Sequence, residues 1–153
     1  MAKLKPGDRA PQFELKDQDG KTRRLSEFKG RRVLLYFYPR ASTPGCTIQA
    51  CSVRDSLSDL DESGIAAVGI SPDPPSRQKR FDEKHRLGFP LLCDEDHAVA
   101  EAYGVWVEKS MLGKKFMGIT RSSFLIDEQG VIVKTWYKVK PKDTVPLAQE
   151  ASG

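Results

Sequence analysis

Two stretches of the chain are apolar at nearly every position: Val33-Leu34-Leu35-Tyr36-Phe37-Tyr38 and Ile65-Ala66-Ala67-Val68-Gly69-Ile70. A strand with one wet face would alternate, so unbroken runs predict strands buried on both faces. Pro39 stops the first and Ser71-Pro72 closes the second. From Cys46 to Ser63 the apolar residues Val53, Leu57 and Leu60 are spaced by four and three, which predicts a helix with one buried stripe. Gly64 ends it. A charged amphipathic helix is expected over Ser76 to Arg86, a third strand over Pro90 to Cys93, and a short helix from an Asp94 or Asp96 cap to Tyr103, before Gly104.

The flanks read as hairpins. Gln12 to Leu15 and Thr22 to Leu25 are joined by Asp17-Gln18-Asp19-Gly20, and Asp-Gly before a new strand is a turn signal. Ser122 to Ile126 is followed by Asp127-Glu128-Gln129-Gly130 and then by Val131 to Val139, a second hairpin. A long polar loop containing Gly113 and Gly118 is expected ahead of it, with Tyr103 and Trp106 packing that loop. The tail is broken by Pro141 and Pro146 and offers only Val145, Leu147 and Ala148 as apolar residues, so a closing helix is expected to be shortened or absent. Alternation of strand and helix in the middle argues for parallel crossovers, and the final hairpin adds an antiparallel edge. The expected fold is α/β and thioredoxin-like: a central mixed sheet flanked by helices, with an N-terminal hairpin, in a single domain over residues 1–153.

Composition adds exclusions. Of 153 residues, 39% are hydrophobic and 30% charged, the balance of a soluble globular chain. No apolar run approaches the length of a membrane span, and Met1 to Gly7 has no apolar stretch behind its lysines, so neither a membrane anchor nor a secretory signal is expected. A cytoplasmic location follows as the expectation. Lys and Arg outnumber Asp and Glu by 25 to 21, but the cations are scattered in short groups with acids nearby. That argues against a dedicated nucleic-acid site. His85 and His97 lie in polar surroundings and read as surface residues. Three cysteines in such a chain point to redox or catalytic chemistry more than to structural bridges.

The specific segment is Pro39-Arg40-Ala41-Ser42-Thr43-Pro44-Gly45-Cys46-Thr47-Ile48-Gln49-Ala50-Cys51. It puts Cys46 in the first turn of a helix, where unpaired backbone N–H groups and the helix dipole favour an anion. The thiolate is the nucleophile, and an ordinary thiol is only about 3% ionised at neutral pH. A mostly ionised thiol needs roughly 3 kcal/mol of preferential stabilisation. A helix end supplies about 0.3–2 kcal/mol, so a nearby cation is required for the rest. Cys51 lies five residues on, which in an ideal helix means Cα atoms about 8.7 Å apart and about 140° around the axis. A disulfide spans about 4.4–6.8 Å, so the two sulfurs can join only if a turn or two unwinds.

These residues resemble a known signature. Pro39-x-x-x-Thr43-x-x-Cys46 is similar to the peroxiredoxin active-site motif, and Thr43-Pro44-Gly45-Cys46-Thr47 with Ala50-Cys51 resembles its bacterioferritin comigratory protein, or Q-type, subfamily. The similarity continues through Gly7-Asp8-Arg9-Ala10-Pro11, Gly69-Ile70-Ser71-Pro72-Asp73, Phe89-Pro90-Leu91-Leu92 and Gly118-Ile119-Thr120-Arg121-Ser122-Ser123-Phe124-Leu125-Ile126-Asp127. The resemblance implies a thiol-dependent peroxidase acting on hydrogen peroxide and organic hydroperoxides in antioxidant defence. Cys46 would be oxidised to a sulfenic acid, and Cys51 would resolve it as an intramolecular disulfide. Thioredoxin or a glutaredoxin-type dithiol would then reduce that bond. Thr43 and Arg121 would join the two cysteines as catalytic residues, with Pro39, Thr43, Gly45 and Arg121 lining the substrate site. No metal or bound cofactor is implied. An intramolecular pair needs no second subunit, so a monomer is expected.

Other readings of the same residues remain open at this level. Cys46, Cys51, Cys93 and His97 could be written as a zinc site. A thioredoxin-like disulfide reductase would share the fold without special reactivity toward peroxide. Cys93, behind Leu91-Leu92 at a strand end, reads as a passive core thiol and is left outside the catalytic set.

Overall fold

The computed structural model describes residues 3–152. Nine strands and five helices follow in chain order: β1 Glu14–Lys16, β2 Thr22–Arg24, β3 Arg32–Phe37, α1 Pro44–Asp55, α2 Leu57–Glu62, β4 Ile65–Ser71, α3 Pro75–His85, β5 Leu91–Cys93, α4 Ala98–Ala102, β6 Trp106–Met111, β7 Lys114–Ile119, β8 Ser122–Ile126, β9 Ile132–Tyr137 and α5 Thr144–Ser152. Seven strands make one mixed sheet in the order β2-β1-β5-β4-β3-β8-β9. The runs read as doubly buried strands are its centre: β3 pairs parallel with β4 from Arg32↔Ile65 to Phe37↔Ile70, and β8 lies antiparallel on the other side of β3. The sheet is the thioredoxin-like arrangement.

Side chains alternate through β3 into two separate cores. Leu34, Tyr36 and Tyr38 pack with Cys46, Ala50 and Val53 of α1, Phe81 of α3, and Val145 and Ala148 of α5. Val33, Leu35 and Phe37 face the other way, onto Tyr103, Val105, Phe124 and Ile132. A strand with helices or long loops over both faces must be apolar at every position, which explains the unbroken run.

Three expectations need correction. The helix expected over Cys46–Ser63 begins two residues earlier, at Pro44, and is broken at Ser56 into α1 and α2. Proline suits the first helical position, where its missing N–H is lost from no hydrogen bond. The polar loop expected before Ser122 is a second, two-stranded sheet, β6 paired antiparallel with β7 from Trp106↔Ile119 to Met111↔Lys114. Leu112 and Gly113 form its two-residue turn with φ of 52° and 80°, the left-handed pair such hairpins require. The tail does form a helix: Pro146 is the third residue of α5, where proline costs no helical hydrogen bond, and Val145 and Ala148 are buried. Tyr103, read as packing that segment, is fully buried, and His97, read as a surface residue, is half-buried with its ring stacked 3.9 Å from Trp106.

Candidate active site

The chain leaves β3 at Phe37 and turns through Pro39–Thr43 into α1, with Thr43 in extended conformation as its N-cap. The Thr43 hydroxyl does not cap the helix; it donates to the Arg40 carbonyl at 2.8 Å. Thr47 N–H already bonds Thr43 O at 2.9 Å, so the N–H groups of Gly45 and Cys46 are those without a helical acceptor. Cys46 is buried against Tyr36 and Ala50 on the sheet side of α1. The cation anticipated from the sequence argument is present: Arg121, just before β8, directs Nη2 to within 3.4 Å of Cys46 Sγ.

Arg121 is itself held. Its Nη1 donates to Gln49 Oε1 at 2.6 Å, and Gln49 Nε2 donates to Thr144 Oγ1 at 2.8 Å. Gln49 and Thr144 are both fully buried. Three distant parts of the chain, α1, the residue before β8 and the start of α5, thus meet around one guanidinium. Gly45 is part of the same fit. A Cβ there would stand 3.1 Å from Arg121 Nη2 and 3.6 Å from Pro141 Cγ, so a side chain at this position would crowd the guanidinium that reaches the sulfur.

The structure brings Cys46, Gly45 and Arg121 into contact, with Thr43 at the N-cap position of the same helix and Pro39, half-buried, opening the turn. Cys51 is also on α1 but half-buried, and none of the three cysteines is disulfide-bonded. Cys93 is buried on β5, with Sγ 3.9 Å from the Asp17 carbonyl. Burial, reinforced by the negative charges of Glu95, Asp17 and Asp73, pushes its thiol up to about 12. Among the described residues no three His, Cys, Asp or Glu side chains gather as a metal site, so Cys46, Cys51, Cys93 and His97 do not assemble into the zinc alternative. No helix among those residues is long and apolar enough to cross a membrane.

Four neighbours of the site were not singled out from the sequence. Gln49 had a signal, since a residue three past Cys46 shares its helix face. Thr144, Lys109 and Tyr36 had none. Lys109 lines an open groove with Val107, Thr120, Arg121 and Lys138. Partial burial, with the positive charge of Arg121 adding to it, lowers its ammonium below the ordinary lysine range, while Cys46 works in the opposite sense. The Tyr36 hydroxyl is buried beneath α1 without a hydrogen-bond partner. Burial, reinforced by the nearby Cys46, raises its phenol well above the ordinary range.

Comparison with known proteins identifies the family. The model of the AhpC/TSA family matches residues 6–135. Over 132 residues the chain is 55% identical to Peroxiredoxin Bcp of Escherichia coli (strain K12), covering 86% of this chain and 85% of that protein. The crystal structure of Peroxidoxin BcpB from Mycobacterium tuberculosis superposes with a TM-score of 0.87 at 37% identity, over 97% of this chain and 96% of the other. The bacterioferritin comigratory protein of Xanthomonas campestris, whose complexes concern alkyl peroxide reduction, matches with a TM-score of 0.87 at 31% identity, over 98% and 96%. Fold and relatives together define a peroxiredoxin, a thiol-dependent peroxidase on the thioredoxin fold. The chain belongs to the AhpC/TSA family and, within it, to the bacterioferritin comigratory, Q-type, peroxiredoxins.

Proposed function

We propose that this single-domain enzyme reduces hydrogen peroxide and alkyl hydroperoxides through Cys46, with Cys51 as the resolving thiol. The observation that carries the reading is the 3.4 Å approach of Arg121 Nη2 to the Cys46 sulfur at the start of α1. The Cys46 thiolate attacks the outer peroxide oxygen, the O–O bond breaks, and the departing oxygen takes a proton to leave as water or an alcohol. Thr43 Oγ accepts a hydrogen bond from the peroxide, and the Cys46 N–H and Arg121 donate to its oxygens as negative charge develops on the leaving one. Pro39 shields the resulting sulfenic acid from bulk water. Gly45 leaves room for Arg121.

The Cys51 thiolate then attacks the sulfenic sulfur and expels hydroxide, which leaves as water, forming the Cys46–Cys51 disulfide. A dithiol protein of the thioredoxin or glutaredoxin type reopens it by exchange. Both thiols belong to one chain, so the cycle runs in a monomer, and the setting proposed for it is the cytoplasm. The alkyl hydroperoxide substrates are supported by the Xanthomonas campestris relative.

The test is one equivalent of hydrogen peroxide on reduced protein, followed by intact mass and peptide mapping. The expected product is about two daltons lighter and carries a linked Cys46–Cys51 peptide within seconds. Cys46→Ser should abolish turnover, and Cys51→Ser should take up one oxygen and stall. Full turnover by Cys46→Ser would refute the assignment.

A further inference from the structure

We propose that Asp73 is a positioning residue for peroxide reduction, holding in place the turn that presents Thr43 and the first turn of α1 to the substrate. The proposal rests on the reading of Cys46 as the peroxide-reactive thiol. The turn needs holding: Ser42, one residue before the N-cap, has φ of 67°, a left-handed conformation that residues other than glycine adopt only when their surroundings impose it. One tether is local, the Thr43 hydroxyl on the Arg40 carbonyl. The other comes from across the sheet, where Asp73 Oδ2 accepts the Ala41 N–H at 2.7 Å.

Asp73 is in turn fixed from every side. Ser71 Oγ donates to the same Oδ2 at 2.6 Å, and Arg77 Nε lies 3.5 Å from Oδ1. Ser71 Oγ accepts from Gln78 Nε2 at 2.8 Å, and the same amide donates to the Leu92 carbonyl at 3.0 Å. Gln78 Oε1 accepts from the Tyr38 hydroxyl at 2.6 Å. Tyr38, Ser71, Asp73 and Gln78 are all buried. A fully paired buried network of this kind has few alternative arrangements and is therefore stiff. It runs from β3 through β4 and α3 to β5, and its link into the turn is the Ala41 N–H. No member touches the reacting atoms, so Asp73 acts through the turn.

The experiment compares two reactions of the same thiol. Peroxide reduction needs the turn in register; alkylation by iodoacetamide needs only an accessible thiolate. Asp73→Ala should slow oxidation of Cys46 by hydrogen peroxide about 10²-fold while changing its alkylation by less than roughly threefold, the cost expected of misplacing substrate-orienting groups. Asp73→Asn keeps an acceptor oxygen for the Ala41 N–H and should restore the peroxide rate to within roughly fivefold of wild type, while Ser71→Ala, which frees one side of the carboxylate, should fall between the two. Should Asp73→Ala fail to fold, the ratio of the two rates in Ser71→Ala decides: a ratio equal to wild type overturns the proposal. So does an Asp73→Ala protein that keeps the wild-type peroxide rate, or one in which both reactions slow equally. A wild-type chain whose Cys46 does not oxidise overturns the reading of the site itself.

Discussion

Cys46 and Cys51 lie on one unbroken helix, with Cys46 buried in its first turn and Cys51 half-buried on another side. Ideal helical geometry holds their Cα atoms about 8.7 Å apart, beyond the reach of a disulfide at about 4.4–6.8 Å. Between them sits Gln49, whose side chain ties Arg121 to Thr144 of α5. Bringing the two sulfurs together therefore means unwinding the residues that anchor the guanidinium and the closing helix.

Oxidation should accordingly cost helix. Far-ultraviolet circular dichroism of the peroxide-treated protein is expected to lose the signal of roughly one to three helical turns, the span from Pro44 to Cys51 being about two. Limited proteolysis should cut within α1 in the oxidised protein and leave the reduced one intact there. Cys51→Ser should show neither change on exposure to peroxide. An oxidised protein with undiminished helix would show that Cys46 finds a different partner.

Arg121 uses two nitrogens at once, one on Gln49 and one on Cys46. Lysine keeps the charge but offers a single point donor, so Arg121→Lys should lower kcat/KM for peroxide about tenfold or more, and Arg121→Ala about 10²–10³-fold. Gln49→Ala leaves the charge and releases its anchor, so a loss intermediate between wild type and Arg121→Lys is expected. Steady-state peroxidase kinetics with a dithiol reductant measure all three.

Gly45 sets activity against stability. Alanine is the better helix former by about 1 kcal/mol, but its Cβ would press within 3.1 Å of Arg121 Nη2. Gly45→Ala should therefore displace the guanidinium and slow peroxide reduction about tenfold or more. Its thermal midpoint should stay within a few degrees of wild type, since about 1 kcal/mol corresponds to roughly 2–4 °C for a domain of this size. A variant equally active and equally stable would show that the contact is relieved without moving Arg121.

Cys93 makes stability fall at alkaline pH. Its thiol is pushed up to about 12 in the folded chain, so the native state keeps a proton that the unfolded chain releases. Unfolding then releases protons, and the thiol's contribution is lost as pH rises above the ordinary value near 9 toward 12. The slope is at most about 1.4 kcal/mol per pH unit for one group. Urea unfolding at pH 8 and pH 10 should show a smaller alkaline loss for Cys93→Ala than for wild type. In the native protein iodoacetamide at neutral pH should leave Cys93 unmodified.

Much of this protein is local in origin, and local features were readable. The runs at Val33–Tyr38 and Ile65–Ile70 announced the central parallel pair because double burial leaves no room for polar residues. Cys46 in the first turn of a helix, behind Thr43 and Pro44, followed from a strand, a proline and an amphipathic run in sequence. The β6–β7 hairpin was missed because Met111, Leu112, Phe116 and Met117 are exposed, so hydrophobic periodicity had no buried face to report. The closing helix was underestimated because Pro146 looks like a breaker until its position in the first turn is known.

The site divides along the same line. The proposed nucleophile, its helix end and the distance barring an intrahelical disulfide are properties of thirteen consecutive residues, set by backbone geometry over a few turns. The guanidinium beside the sulfur, the Gln49–Thr144 anchor under it and the Asp73 tether behind it join residues separated by 32 to 95 positions. No helical or strand period relates such residues; only the pairing of β3 with β4 and β8, with α1 and α5 packed over them, brings them within hydrogen-bonding distance.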